Sequence, residues 1–381
     1  MKVVLVEPAP PGVHVFSKLR FPRLGLPLIG ATLKAAGHDV VIYVEDLAQI
    51  DWADLFSADL VGISSTTSTA PRAYEIADQC QLRQIPVVMG GAHVTFMAWE
   101  ALQHCDYVAR FEGGDQVMLE LIDYLEGKRT LESIHGLSYR TGERIHNNLP
   151  RGSVAKLDEL PFPDLSLIVG HERITSTPIM TSWGCPFDCD FCSVTAMFGR
   201  RYRFRSPENV IAELVEKKPK NVFFYDDNFA ANPKRLKILL QMMIDQGLNI
   251  SWSAQMRTDV TDDPELLDLM AKSGCWQVYL GLESINQDTP DGYHKSQSVQ
   301  DIIRGVELLR LHGIKSHGMF VLGADSDGKK SVHDTVDFAI RHKSSTVMIN
   351  IRTPLPGTDF CHEMEKSCRI IDHDWAHYDA H

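Results

Sequence analysis

The sequence contains no long apolar run. No stretch of its 381 residues approaches the roughly 18 consecutive apolar residues that a membrane-spanning helix needs. The N-terminal segment MKVVLVEPAP has too short an apolar part for a signal peptide and reaches proline at once. We therefore expect a cytoplasmic protein without a membrane span.

Positive charge is also scarce. Lys and Arg number 38 against 50 Asp and Glu, which gives a formal net charge of −12. Nucleic-acid binding needs a basic face, so nucleic acid is not an expected partner. The one basic cluster, GRRYRFR at residues 199–205, is too short to reverse this balance, and we interpret it as a solvated loop.

Disulfide bonds are not expected either, because thiols stay reduced in the cytoplasm. The cysteines should therefore be free thiols or metal ligands. There are eight of them, at positions 80, 105, 185, 189, 192, 275, 361 and 368.

The chain is an α/β sequence with two domains. Residues 1–133 alternate apolar strand patterns such as KVVLVEP and DVVIYV with helical patterns such as GLPLIGATLKAAGH. This alternation predicts a doubly wound, Rossmann-like parallel sheet, whose ligands bind at the carboxyl ends of the strands.

A boundary follows at residues 134–175, which predict a hairpin around Thr141 and Gly142 and a proline-punctuated linker. Residues 176–358 contain six strand–helix units without a sequence repeat, which predicts a partial, TIM-like (β/α)6 barrel. Residues 359–381 form a short C-terminal extension.

The segment TSWGCPFDCDFCSV carries three closely spaced cysteines, Cys185, Cys189 and Cys192. A zinc site usually has four ligands in two close pairs, and no Cys or His partner stands at pair spacing here. Three thiolates instead suit a [4Fe–4S] cluster, in which each Cys binds one iron and the fourth iron stays open. A zinc site with a distant fourth ligand and a coincidence remain alternatives.

The C-x3-C-x2-C pattern, with Phe191 directly before the last cysteine, resembles the radical S-adenosylmethionine (SAM) superfamily. The resemblance implies that the open iron chelates SAM and that an electron cleaves it to a 5′-deoxyadenosyl radical. It also implies an oxygen-sensitive enzyme and a reductant such as flavodoxin or ferredoxin. By the same resemblance, FYDDNFAANPKR places Asp226 and its neighbours facing the site. The implied SAM contacts are Phe191, Asp227, Asn228, Gln255, Arg257 and Glu283. A strand-end Asp can also be a helix cap.

A doubly wound domain before such a barrel resembles the cobalamin-binding subfamily, which includes methylases and the anaerobic Mg-protoporphyrin monomethyl ester cyclase. The familiar D-x-H-x-x-G signature is absent after the first strand, where only His14 appears. The alternative is a degenerate domain that binds nothing, with His93 an ordinary loop histidine. The residues expected to contact cobalamin are Ser64, Ser65, Thr66, Gly90, Gly91 and His93.

The resemblance implies methyl transfer to an unactivated carbon of a small-molecule substrate, by way of a 5′-deoxyadenosyl radical and methylcobalamin. Tyr225 and His317, at predicted strand ends, are candidate substrate contacts. Cyclisation, oxidation or rearrangement by a cyclase-like enzyme is the first alternative. A non-catalytic module that senses cobalamin or iron–sulfur status is the second.

Overall fold

Two parallel sheets organise the chain. The computed structural model describes residues 1–12, 21–153, 156–286 and 298–380. One unit comprises Met1–Thr175, Leu355–Gly357 and Met364–Asp379, and the other comprises Ser176–Pro354, Thr358–Glu363 and residues 380–381.

The sheet of the first unit has seven strands, which are β1 (Lys2–Glu7), β2 (Asp39–Val44), β3 (Leu60–Ser64), β4 (Val87–Gly90), β5 (Tyr107–Ala109), β6 (Leu137–Thr141) and β7 (Arg144–Asn147). They lie in the order β2-β1-β3-β4-β5-β6-β7. Neighbours from β2 to β5 are parallel, and β6 and β7 are antiparallel. The order reverses between β1 and β3, which makes their carboxyl ends the switch point where ligands bind in such sheets.

Helices cover both faces of this sheet, because its strands alternate apolar side chains between two cores. Val4 and Val6 enter one core, and Val3 and Leu5 enter the other. The helices are α1 (Gly25–Ala35), α2 (Trp52–Leu55), α3 (Ala70–Gln81), α4 (Ala92–Phe96), α5 (Ala98–Ala101) and α6 (Gly114–Leu125).

The hairpin predicted after residue 133 is present, but it is not part of a linker. Its strands β6 and β7 pair with each other, and β6 also pairs with β5, so the hairpin extends the first sheet. The predicted boundary at residue 133 therefore falls inside the first unit, which continues to Thr175. Sequence periodicity identifies a hairpin but not the strand beside which it lies.

The second unit contains a six-stranded sheet and a short ribbon. Its strands are β8 (Thr177–Ile179), β9 (Ser182–Trp183), β10 (Arg203–Phe204), β11 (Asn221–Phe224), β12 (Ser251–Met256), β13 (Cys275–Glu283), β14 (Lys315–Leu322) and β15 (Thr346–Ile351). The sheet order is β15-β14-β13-β12-β11-β8, all parallel, and β9 pairs with β10. Six parallel strands in chain order confirm the predicted partial barrel.

Helices connect the strands of this sheet. They are α7 (Ser193–Phe198), α8 (Pro207–Lys217), α9 (Pro233–Asp245), α10 (Pro264–Lys272), α11 (Val299–Leu311) and α12 (Lys329–Arg341), with α13 (Asp359–Lys366) in the C-terminal segment. Three of them begin at a proline preceded by a Ser, Asn or Asp cap, as the sequence indicates. The core beneath the strands is aromatic around Phe224, Phe229 and Trp252, which pack ring against ring. No helix within the described ranges is long and apolar enough to cross a membrane.

Candidate active site

The three predicted cluster cysteines lie on one loop of the second unit. Cys185, Cys189 and Cys192 come after β9 and before α7. The loop begins at Gly184, where φ is +79° and a Cβ would lie 2.2 Å from the carbonyl oxygen of Arg201. Only glycine is compatible with both conditions. The N–H of Cys192 donates to the carbonyl oxygen of Cys189 at 3.1 Å, which closes the last turn of the loop.

Burial favours the protonated form of two of these thiols, Cys185 and Cys192, in the absence of metal. It raises the pKa of Cys185 and raises the pKa of Cys192 to about 12, and nearby Asp227 acts in the same direction on both. Bound iron would favour the deprotonated form instead, because the thiolate is the form that ligates a metal. The loop is therefore suited to metal binding and not to nucleophilic catalysis by a free thiol.

The donor set fits a cluster better than a single ion. Within the described residues, no group of three or more His, Cys, Asp or Glu side chains is arranged to hold one metal ion. In a [4Fe–4S] cluster each thiolate binds a different iron, so the ligands need not converge on one point. Three partly buried thiols on one loop meet this requirement.

An ion pair that the sequence did not reveal fixes the same loop. Asp190, between the second and third cysteines, accepts from Nη2 of Arg352 at 2.5 Å, and the two side chains are only 17% and 14% exposed. The guanidinium lies 3.8 Å from the ring centroid of Phe360, whose N–H donates to the Asp190 carbonyl oxygen at 3.1 Å. Arg352 directly follows β15. Residues after the last strand therefore hold the loop that follows the first strand.

Asp226 does not face the site, contrary to the prediction. Its buried carboxylate accepts from the N–H of Thr181 at 3.1 Å, from the Thr181 hydroxyl at 2.9 Å and from the Ser182 hydroxyl. Burial raises its pKa, and these hydrogen bonds act in the opposite direction. β11 ends at Phe224, and of the two acids in the turn after it, Asp226 is buried and Asp227 is exposed. Asp226 instead stabilises the segment that leads to the cysteine loop.

Asp227 and Asn228 follow β11 together with Tyr225, as predicted. Asp227 reaches solvent, but the surrounding protein and the Asp226 carboxylate raise its pKa to about 6. Asn228 is buried, and its Oδ1 has no hydrogen-bond partner. A buried acceptor without a donor is costly, which indicates that a ligand supplies one. Tyr225 is half-buried, with its ring 6.0 Å from that of Phe223.

Arg257 lies against the cysteine loop. Its guanidinium is 4.0 Å from the ring centroid of Phe187, which stands between the first two cysteines. The residue is buried, and neither Nε nor Nη1 has a hydrogen-bond partner, although Oδ2 of Asp259 lies 3.6 Å from Nε. Unused guanidinium donors are suited to a ligand carboxylate. Gln255 lies on the same strand end, β12, and is partly buried.

Glu283, the last residue of β13, has a left-handed backbone with φ of +58°. The register between β13 and β14 shifts between Gly281 and Glu283. A non-glycine residue in this conformation costs about 1–3 kcal/mol, and such strain concentrates at functional sites. The sequence YLGLES identified the residue, but periodicity cannot identify the irregularity that turns it.

The structure does not place His317 at the strand end where it was predicted. It is the third residue of β14, so it lies toward the amino end of the strand and not at the carboxyl end with the other predicted residues. Its Nδ1 is 2.7 Å from Oγ1 of Thr346, and burial lowers its pKa. This position does not support a substrate contact.

Phe191, in contrast, lies within the cysteine loop and is partly buried.

In the first unit, the loops after β3 and β4 are in backbone contact. The N–H of Ser65 donates to the carbonyl oxygen of Gly90 at 2.9 Å. Gly91 has a φ of +103°, and a Cβ there would lie 2.3 Å from the carbonyl oxygen of Ser65. Ser65 is fully buried, and its Oγ has no hydrogen-bond partner. An unsatisfied hydroxyl beside the switch point fits a polar group of a bound cofactor.

Ser64 and Gly90 end β3 and β4, so they lie at the same carboxyl edge of the sheet. Thr66 belongs to the loop itself, since its N–H donates to Oγ1 of Thr69 at 3.0 Å and the two hydroxyls are 3.2 Å apart. The predicted set from Ser64 to Gly91 is therefore brought together, while its role toward cobalamin stays a prediction.

His93 is part of a packed polar network. Its Nε2 is 3.1 Å from the Tyr74 hydroxyl and 3.6 Å from Oε1 of Glu100, and its ring lies edge-on to Trp375 at 5.0 Å. The Trp375 indole N–H donates to the same Glu100 oxygen at 2.8 Å. These partners satisfy Nε2, whereas Nδ1 is buried without a hydrogen-bond partner, and the assignment of His93 to cobalamin stays a prediction. His14 lies outside the described residues.

Glu7 is a residue that sequence reasoning missed. It ends β1, beside the switch point, and is only 7% exposed. Its Oε2 has no hydrogen-bond partner, and Arg23 Nε lies 3.4 Å from its Oε1. Burial raises the pKa of this carboxyl. The available signal was an acidic residue at the end of a Val-rich strand.

Comparisons with known proteins agree with this geometry. The family model "Radical SAM superfamily" matches residues 179–339, and "B12 binding domain" matches residues 15–119. An uncharacterized methyltransferase of Pyrococcus horikoshii is 33% identical over 99% of this chain and 86% of its own length. The bacteriochlorophyllide d C-12(1)-methyltransferase of Chlorobaculum tepidum is 30% identical over 92% of this chain and 75% of its own length.

The chain therefore belongs to the family of radical SAM enzymes with a B12-binding domain. Its cofactors are accordingly a [4Fe–4S] cluster, SAM and cobalamin, as predicted. Its fold is that of the methyltransferase TsrM of Kitasatospora setae, solved with cobalamin and a [4Fe–4S] cluster. The TM-score is 0.79 at 18% identity, over 97% of this chain and 75% of that one.

Proposed function

We propose that the protein transfers a methyl group to an unactivated carbon of a small-molecule substrate. When bound, the cluster supplies the electron for reductive cleavage of SAM, and cobalamin carries the methyl group. The observation that carries the proposal is the three-thiol loop of Cys185, Cys189 and Cys192, which would hold three irons of a [4Fe–4S] cluster and leave the fourth to SAM.

Arg257 and Asn228 provide the polar contacts for SAM in this proposal. Arg257 offers two unused guanidinium positions to the SAM carboxylate, and its packing on Phe187 keeps it beside the cysteine loop. Asn228 offers a buried amide oxygen to a donor on SAM. Glu283 presents its carboxylate from a strained strand end, which fixes its direction before the ligand binds.

Ser65 and Gly91 provide the contact surface for cobalamin in the first unit. The absence of a side chain at Gly91 lets the two strand-end loops approach closely, which leaves the Ser65 hydroxyl buried and unpaired. That hydroxyl can bond a polar group on the nucleotide portion of cobalamin. Glu7, on the adjacent strand end, is a second buried polar group at this edge.

The test follows the methyl group. The full chain is reconstituted anaerobically with iron, sulfide and cobalamin, then incubated with methyl-labelled SAM, a reductant and candidate substrates such as tetrapyrroles or polycyclic lipids. We expect the label on the bound cobalamin and in a product, with S-adenosylhomocysteine and 5′-deoxyadenosine as co-products. Protein reconstituted without cobalamin is the control and should label no product.

The cyclase-like alternative gives a different result in the same experiment. A cyclase or oxidoreductase would form 5′-deoxyadenosine and alter the substrate, but the label would stay out of the product. That outcome would contradict methyl transfer while leaving SAM cleavage intact.

A further inference from the structure

The basic segment at residues 199–205 is held within the protein and is not the solvated loop that its sequence indicates. It contains β10, which pairs antiparallel with β9. Arg205 is buried and forms an ion pair with Glu213, and Arg200 forms an ion pair with Asp188. These arginines therefore serve the fold, and the exposed group that requires an explanation is an aromatic ring in the first unit.

Phe111, in the loop between β5 and α6, has a left-handed backbone, which glycine adopts more readily. Its φ is +60°, and a bulky side chain in this region is a genuine outlier. Two hydrogen bonds fix the loop here. The N–H of Arg110 donates to the carbonyl oxygen of Gly136 at 2.8 Å, and the N–H of Phe111 donates to Oγ1 of Thr95 at 3.1 Å. The fold therefore holds an aromatic side chain in a strained conformation, and such strain concentrates at sites that bind a ligand.

The ring of Phe111 packs on a second ring and stays partly open to solvent. Phe111 is 39% exposed. It makes an edge-to-face contact with Phe96, with 5.9 Å between the ring centroids, which fixes the direction of the ring. Phe96 ends α4 and lies against Gly357, where φ is +83° and a Cβ would lie 2.4 Å from the Phe96 ring. Phe96 and Phe111 therefore form an aromatic shelf whose position the surrounding backbone determines.

The aromatic shelf belongs to the same carboxyl edge of the first sheet as the predicted cobalamin residues. Phe96 follows β4 and Phe111 follows β5, and these strands lie next to β3 in the sheet order. Groups of two kinds therefore follow the strand ends. The Ser65 Oγ and Glu7 Oε2 atoms are buried polar atoms without a partner, whereas the Phe111 ring is apolar and exposed. A ligand with a polar part and a broad apolar part matches this arrangement.

We propose that the aromatic shelf of Phe96 and Phe111 packs against the corrin macrocycle of bound cobalamin. Cobalamin has a broad, flat corrin ring and a narrower, polar nucleotide portion. The buried Ser65 hydroxyl suits the nucleotide portion, and the exposed Phe111 ring suits the corrin, because covering apolar surface is favourable. This contact offsets the strain at Phe111. The inference deepens the proposed function and rests on it, since the shelf has this role only if cobalamin binds at this edge.

The test separates the two portions of the cofactor. The full chain is reconstituted with iron and sulfide but without cobalamin, and two probes are titrated. Hydroxocobalamin carries both portions, whereas cobinamide has the corrin and lacks the nucleotide. Phe111→Asn removes the ring but introduces a residue type that tolerates the left-handed backbone, and Phe111→Tyr keeps the ring. Tyr124→Ala is the matched control, because it removes one ring of the edge-to-face pair of Tyr107 and Tyr124, 6.4 Å apart, at the other end of β5.

Equilibrium dialysis, read by corrin absorbance, gives the dissociation constants, and urea unfolding shows that each variant is folded. For Phe111→Asn we expect about tenfold weaker binding of both probes, the order of magnitude for loss of a partly buried aromatic contact. Phe111→Tyr and Tyr124→Ala should bind both probes as the wild type does. Ser65→Ala should weaken the binding of hydroxocobalamin more than that of cobinamide, because its hydroxyl is assigned to the nucleotide portion.

The proposal is overturned if Phe111→Asn binds both probes as tightly as the wild type does, or if Tyr124→Ala causes an equal loss. It is also overturned if Phe111→Asn loses affinity for hydroxocobalamin alone, or if the wild type binds hydroxocobalamin but not cobinamide. In each of these cases the wild type still binds cobalamin, so the proposed function stands. A wild-type chain that binds neither probe would contradict the proposed function together with the aromatic shelf.

Discussion

The carboxyl edges of the two sheets are built in different ways. In the second unit, side chains fix the edge: Asp190 and Arg352 hold the cysteine loop, and Asp226 holds the segment before it. In the first unit, backbone fixes the edge, because the loop at Gly91 lies against the carbonyl oxygen of Ser65. Loss of a charge should therefore destabilise the edge of the second unit's sheet, and addition of a single methyl group should destabilise the edge of the first unit's sheet.

The largest expected effect is the loss of the cluster loop's ligands. Cys185→Ala, Cys189→Ala or Cys192→Ala should each abolish SAM cleavage and most iron binding, because each removes the only protein ligand of one iron. Iron content and 5′-deoxyadenosine formation are the measurements. Cys368→Ser is the control, since Cys368 is exposed and lies outside the loop. Retained cleavage in any of the three alanine variants would refute the cluster assignment.

The next largest effect is expected at the edge of the second unit's sheet, where the Asp190–Arg352 ion pair holds the cysteine loop. Asp190→Asn leaves the largely buried Arg352 without its counter-charge, which should cost about 3 kcal/mol of unfolding free energy. Asp334→Asn removes the counter-charge of Lys330 in an exposed pair and should cost at most about 0.5 kcal/mol. Urea unfolding of both variants measures the difference. Equal small losses would show that the Asp190–Arg352 pair does not hold the loop.

The backbone-held edge is tested by Gly91→Ala. The added methyl group meets the Ser65 carbonyl oxygen, and the positive φ is also unfavourable, so we expect a loss of about 2 kcal/mol. Gly127→Ala is the matched control, because Gly127 also has a positive φ but has no atom within 4 Å of its added Cβ. For Gly91→Ala, urea unfolding should show lower stability and cobalamin titration should show weaker binding. For Gly127→Ala, the cobalamin affinity should be nearly unchanged.

The smallest effect concerns Glu7 at the same edge. Burial raises its pKa in the folded state above the ordinary 4.5, so the folded protein holds this proton at pH values where the unfolded chain has lost it. The stability that this group contributes is fully present below the unfolded-state pKa of 4.5 and is lost as the pH rises through the folded-state pKa. Glu7→Gln should therefore be more stable than the wild type at about pH 7 and closer to it at about pH 4. Urea unfolding across this range would contradict the account if the difference ran the other way.

Strand and helix patterns were enough to predict both sheets, because alternation and apolar periodicity are local properties of the chain. The cysteine spacing likewise predicted a single cluster loop, since all three candidate ligands lie within eight residues, and the structure places them on one loop. Long-range partners were not predictable. Arg352 and Asp190 are 162 positions apart, and nothing in either segment identifies the other.

The direction of side chains was the second property that the sequence could not predict. Asp226 and Asp227 are adjacent, yet one is buried under the loop and the other reaches solvent. His317 was predicted at a strand end, but the bounds of β14 place it toward the amino end of the strand. The strained backbone of Glu283 depends on a shift in strand pairing, which the sequence does not specify.

The most direct test of the central claim is a metal and cofactor analysis of the full chain, reconstituted anaerobically with iron, sulfide, zinc and cobalamin all available. The account predicts about four irons and one cobalamin per chain, with an electron paramagnetic resonance signal of the reduced cluster that shifts when SAM is added. One zinc per chain without iron, or a cluster signal that SAM leaves unchanged, would contradict it.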